Sequence, residues 1–191
     1  MTTSVKGAPS RFQFAQLWSR IRKTSSLDAE GVIELKEDTK ATGQSVGVLV
    51  LATLSYGIGY TVLTEYQAHN ISAYGIIVGG MANMISSCFS AVVWSIALFF
   101  VGTKLFRGST SYWQLARPLF FSTAPGMLFL LISIPVYPIV VVVTLVAAVW
   151  LLVSQAFVLK HVMGLDLQRT LLTLAVGFLI LAFVGLSFQH S

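Results

Sequence analysis

Charge is what this sequence has least of. Only 10% of its 191 residues are Asp, Glu, Lys or Arg and 55% are hydrophobic, whereas an ordinary water-soluble domain carries roughly 25% charged residues. The distribution excludes a soluble fold as firmly as the total does. Glu65 is the single charged side chain between Lys40 and Lys104, none lies between Arg117 and Lys160, and none follows Arg169. Such tracts are too long for strands and too oily for loops, so lipid is their solvent, in keeping with a mean hydropathy of +0.81. The lone cysteine, Cys88, excludes a disulfide within one chain and reads as a small packing residue. A cleavable signal peptide is not expected either. A long polar, charge-rich segment precedes the first oily run, so the amino-terminal segment is expected to stay attached.

Chemical equipment is equally sparse. His69, His161 and His190 are scattered, so none pairs at metal-ligand spacing. Asp28, Glu30, Glu34, Glu37 and Asp38 lack the alternation and central glycine of a calcium loop and read as a solvated acidic face, with Ser26 as a candidate helix cap. "YGIGY" (56–60) and "GIIVGG" (75–80) lack the strand-to-helix setting and lysine of a phosphate cradle. No catalytic residue, metal or cofactor is therefore expected. The formal charge of +5 would suit nucleic acid, but it is spread over short loops beside oily runs, and nucleic acid is not an expected partner.

Oily runs are what the chain does have. A bilayer core takes about 20 helical residues, and the runs at 46–63, 74–105, 118–134, 139–159 and 170–188 are read as five crossings. The second is read as a bent lead-in to Met84 followed by a main crossing from Ile85, with two crossings as the alternative. In the third, Pro118 suits a first helical turn entered at Arg117, which snorkels to the interface. Pro125 and Gly126 bend it, with Ser122 and Thr123 near the freed carbonyl.

Five crossings place the termini on opposite sides. With the amino terminus in the cytoplasm, segments 1–45, 104–117 and 160–169 hold all 12 Lys and Arg residues and the outer segments hold none, as the positive-inside rule requires. The reading is thus an all-α integral protein of the cytoplasmic membrane, with a tail at 1–44, a five-helix domain at 45–188 and an outside carboxyl terminus. In the tail, Phe14, Leu17, Trp18 and Ile21 form one helical stripe among Arg11, Arg20, Arg22 and Lys23, as in an amphipathic helix on an anionic surface. Gly43 with Gly47, Ser55 with Gly59, Gly75 with Gly79, and Ser86 with Ser90 have the small-xxx-small spacing of close helix packing, chiefly between the first two spans. Asn83 and Gln155 read as hydrogen-bond formers between helices.

Several stretches together carry a likeness: "LDAEGVIELKEDTKATGQS", "WSIALFFVGTKLFRGSTSYWQLARPLFFSTAP" and "VWLLVSQAFVLKHVMGLDLQRTLLTL". In order they give an acidic lead-in ending at Gly43 and Gln44, a glycine-containing loop, Arg117 with Pro125 after it, Trp150, and a short turn ending at Arg169. Over about residues 25 to 185 the chain resembles the prokaryotic branch of the Yip family, named for Ypt/Rab-interacting proteins. That resemblance implies a five-helix bundle with a cytoplasmic amino terminus and no catalytic residues. Eukaryotic relatives are associated with Rab-type GTPases and vesicle traffic, but their Asp-Leu-Tyr-Gly-Pro element is missing here, so Rab binding does not carry over. The expected function is a non-enzymatic module that organises membrane or binds other integral proteins or itself, as an accessory subunit, with Lys104, Arg107, Arg117, Lys160 and Arg169 as its cytoplasmic docking face. A small-solute transporter or channel is the rival, and it requires Asn83 or Gln155 to face a wet cavity.

Overall fold

A computed structural model describes residues 14–189, with side chains through residue 183. Arg11 and His190 lie outside the described residues. The α-helices are α1 (Phe14–Ser25), α2 (Ala29–Glu37), α3 (Thr42–Gln67), α4 (Ala73–Phe100), α5 (Tyr112–Phe121), α6 (Tyr137–Met163) and α7 (Leu167–Gln189). Among the described residues there is no strand. Four segments are long and apolar enough to cross a bilayer, Thr39–Gln67, Ala73–Leu105, Tyr112–Ser133 and Tyr137–Met163, and α7 adds an apolar helix that is shorter over Leu167–Phe183.

Two spans differ from the sequence expectation. α4 runs uninterrupted from Ala73 to Phe100 and continues as a π-helical turn over Val101–Leu105, with no break at Met84. Without water to satisfy a broken backbone, even a glycine-rich stretch keeps its helical hydrogen bonds. The third segment begins at Tyr112, not Pro118, because Ser111 and Gln114 cap one another there, with the Ser111 N–H donating to Gln114 Oε1 at 3.0 Å. Pro118 therefore sits inside α5 and Arg117 is one of its buried residues.

Pro125 changes the helix type. It has no N–H for the Phe121 carbonyl, and the next donor, Gly126 N–H, reaches Thr123 O at 2.8 Å, one residue short of α-helical spacing. A 3₁₀ helix follows over Ala124–Ser133, although such helices rarely exceed about four residues. Ser122 and Thr123 do not serve the freed carbonyl; their hydroxyls donate to Leu119 O and Phe120 O, each at 2.6 Å. Tertiary packing holds the segment, for Phe129 meets Tyr56 of α3 edge to face at 5.5 Å.

The tail is part of the fold. α2 turns Val32 and Leu35 into the core and keeps Glu30, Glu34 and Glu37 exposed. Its cap is Asp28, which accepts from Glu30 N–H at 3.1 Å, while the Ser26 hydroxyl donates to Lys23 O at 3.2 Å. Asp28 wins because its carboxylate reaches the first free amide of the helix. Trp150, midway along α6, donates Nε1–H to Ser25 O at 3.2 Å. That contact lies about 20 Å of helix back from Met163, so the α1–α2 hairpin runs along the bundle wall.

Hydrophobic burial is densest toward the end that carries the loops 106–111 and 164–166. There Val32, Leu98, Leu115, Leu119, Val158 and Leu159 form one cluster spanning α2, α4, α5 and α6. Leu17, Leu35, Val48 and Phe121 form a second that ties in α1 and α3. The opposite half is looser. α6 has much of its length exposed, with Val142, Leu145 and Val149 among the open side chains.

Candidate functional site

At the densely packed end the cations are of two kinds. Arg117 is 7% exposed, and its guanidinium donates Nε–H to Thr42 Oγ1 at 2.9 Å and Nη1–H to Lys36 O at 2.8 Å. It therefore caps the carbonyl end of α2, where the helix dipole is negative, and does not snorkel or belong to an open docking face. α5 starts a turn and a half earlier than expected, which carries Arg117 inward. Lys36 caps likewise, donating Nζ–H to Val162 O at 3.2 Å near the end of α6. Arg20 pairs with Asp38 and donates to Gln44, locking α1 to the start of α3.

Lys104, Arg107 and Lys160 are the second kind. They are exposed, and among the described residues none of the three has an ion pair. They stand on adjoining elements, since Gly102 and Gly108 both lie against Met163, whose Sδ a Cβ added at Gly102 would strike. Arg169 is exposed but engaged by Asp166 at 3.4 Å. Lys23 pairs with Glu34 at 2.6 Å, and that hydrogen-bonded carboxylate holds the ammonium above its ordinary 10.5.

The stripe on α1 is split. Leu17 is buried and Ile21 half-buried against the bundle, while Phe14 and Trp18 are 71% and 65% exposed. Arg22 is also exposed, next to the open edge of the stripe on the helix surface.

Close packing falls on only part of the small-residue set that the spacing suggested, Gly59, Gly75 and Gly79, and on Gly57 besides. Gly43 and Gly47 have nothing within 4 Å of an added Cβ, and the Ser55 hydroxyl donates to Leu51 O of its own helix at 2.8 Å. They sit on sides of α3 that no other helix covers closely. The real crossing centres on Gly57, where a Cβ would meet Gly80 O at 2.5 Å and Met84 N at 2.9 Å. Gly59 faces the 3₁₀ helix, where an added Cβ would strike Phe129 O, and a Cβ added at Gly79 would meet Thr61 Cγ2 at 2.8 Å. Gly75 lies against Glu65, whose Oε2 accepts the Ser72 N–H at 2.9 Å beside the start of α4. Gly57 was legible had threonine been counted as small, since Thr53 and Thr61 flank it at four-residue spacing.

Between α3, α4, α6 and the 3₁₀ helix lies a cavity of about 450 Å³. Both intrahelical amides reach it. Asn83 donates Nδ2–H to Thr61 Oγ1 at 3.0 Å, and Gln155 Oε1 accepts from Trp94 Nε1–H at 2.8 Å. Ser86, Ser87 and Ser90 continue the polar wall along α4. Among the described residues no three His, Cys, Asp or Glu side chains gather as a metal site.

No curated protein and no solved structure matches the chain. The Yip1 domain does match, over residues 34–189, from the second half of α2 through α7. By that match the chain, a multi-pass membrane protein with several apolar helices, belongs to the Yip1 domain family.

Proposed function

We propose that this protein is a non-enzymatic module of the cytoplasmic membrane that binds other integral membrane proteins, as an accessory subunit or with itself, through its basic end. In this reading α7 is the fifth crossing, the amino terminus is cytoplasmic and the carboxyl terminus is outside. The observation that carries the reading is the exposed, unpaired trio Lys104, Arg107 and Lys160 on adjoining elements. Cations with internal partners hold the fold, and these three, clustered on adjoining elements, are open to acidic side chains or anionic headgroups. Each contributes about 1 kcal/mol near an anionic surface. Trp18, exposed on α1, suits the same headgroup layer. The bundle, not the acidic segment alone, presents the face, since Arg117 and Lys36 tie α2 to it.

The test has two arms. Reporters fused before Met1 and after Ser191 are expected in opposite compartments. Tagged protein drawn from native membranes is expected to bring a recurrent integral membrane companion, or itself, that the Lys104→Gln, Arg107→Gln, Lys160→Gln triple variant fails to retain. Recovery of a lone monomer in mild detergent overturns the proposal, as does a companion retained equally by the variant.

A further inference from the structure

We infer that the cavity between α3, α4, α6 and the 3₁₀ helix is a binding site for one neutral lipid of the diacylglycerol class, holding its glycerol part with the acyl chains left in the bilayer. The inference goes beyond the docking reading and does not depend on it. Its volume, about 450 Å³, is within the roughly 300–1,000 Å³ of small-molecule sites.

Hydroxyls in this protein ordinarily donate to their own helix. Thr53 does so to Leu49 O at 2.9 Å and Thr123 to Phe120 O at 2.6 Å, and both line the cavity. Ser86, Ser87 and Ser90 do not. Among the described residues their hydroxyls have no hydrogen-bond partner, although a back-bond to the preceding turn is open to any helical serine. With Asn83 they mark one side of α4 at i, i+3, i+4 and i+7. Asn83 spends an N–H on Thr61 and leaves its carbonyl oxygen, and Gln155 spends its oxygen on Trp94 and leaves its N–H groups. Such a wall can donate from the hydroxyls of Ser86, Ser87 and Ser90 and the Gln155 N–H groups, and it can accept at the Asn83 carbonyl and at the same hydroxyl oxygens.

The absence of charge narrows the ligand. The lining contains no Asp, Glu, Lys, Arg or His, so a phosphate or ammonium would enter without a counter-charge, a heavy desolvation penalty in lipid. Two ester carbonyls and one hydroxyl, all neutral, can be met by these donors and acceptors. Entry is lateral. α4 and α6 meet beside the cavity through the Trp94–Gln155 hydrogen bond, and Leu152, next to the lining residue Leu151, is an exposed apolar side chain.

Full-length protein in phosphatidylcholine vesicles, given a trace of photoactivatable diacylglycerol and irradiated, tests the site. Peptide mapping is expected to place saturable crosslinks on the segments carrying Asn83–Ser90 and Leu151–Gln155. Unlabelled diacylglycerol is expected to compete and phosphatidylglycerol not to. Loss of one neutral hydrogen bond weakens binding roughly two- to tenfold, so Ser90→Ala is expected in that range and the Ser86→Ala, Ser87→Ala, Ser90→Ala triple beyond it. The single variant keeps the test decisive should the triple fold poorly. Lys160→Gln is expected to label as the wild type, which separates this inference from the docking reading. Crosslinks spread evenly over lipid-facing helices, equal competition by phosphatidylglycerol, or undiminished labelling of Ser90→Ala in a folded protein overturns it.

Discussion

Replacing Arg117 with glutamine removes the clamp that joins α2 to α3 and α5. The guanidinium makes two hydrogen bonds, to Thr42 Oγ1 at 2.9 Å and Lys36 O at 2.8 Å. Each bond to a charged group contributes roughly 1.5–3 kcal/mol. Against this stands the relief of no longer burying a cation, of several kcal/mol, and the ability of glutamine to keep one donor near one acceptor. The net loss is expected at about 2 kcal/mol, roughly a 30-fold change in the opening of α2. Hydrogen exchange of the full chain in nanodiscs, followed by mass spectrometry, reads that opening. Amides of residues 29–41 are expected to lose roughly 30-fold in protection, as a local opening of this size dictates, while residues 57–64 of α3 keep theirs. If protection of α2 is unchanged in Arg117→Gln, the arginine faces headgroups and not α2, and the capping argument fails. A uniform drop across all helices refutes the locality of the clamp.

Three further outcomes follow from the packing. Gly57→Ala forces a methyl into the α4 backbone, with Gly80 O at 2.5 Å, and is expected to destabilise the bundle by about 1–3 kcal/mol. Gly47→Ala, with nothing within 4 Å, is expected to be neutral or to stabilise by up to about 1 kcal/mol; unfolding by denaturant in mixed micelles measures both, and equal effects would sink the packing account. Gly164 ends α6 at φ +68, so Gly164→Ala is expected to cost about 1–2 kcal/mol, read in the same titration. The Lys23 ammonium is held above 10.5 by Glu34, so its contribution is fully present below the unfolded value and fades as pH rises through the folded one. Exchange protection of α1 and α2 is therefore expected to hold through neutral pH and to decline above 10.5, and the decline should vanish in Lys23→Met.

The sequence by itself determined the solvent of this chain, the placement of its long apolar runs and the confinement of every cation to three segments. Those properties add up along the chain: hydropathy sums residue by residue, and a charge stays out of lipid wherever the helix rotates. Membership of the Yip family was legible for the same reason, since it rests on the order of elements. Only the tertiary structure decided which face of each helix meets another. Gly57 and not Gly47 lies at the crossing because the rotation of α3 is set by α4 and the 3₁₀ helix together. Arg117 turned inward because Ser111 and Gln114 started α5 early, a choice made by a local cap and fixed by the Lys36 carbonyl of α2 and the Thr42 hydroxyl of α3. The serines of α4 likewise line a cavity only because α3, α6 and the 3₁₀ helix stand around them, and a sequence alone does not state the distance between two helices.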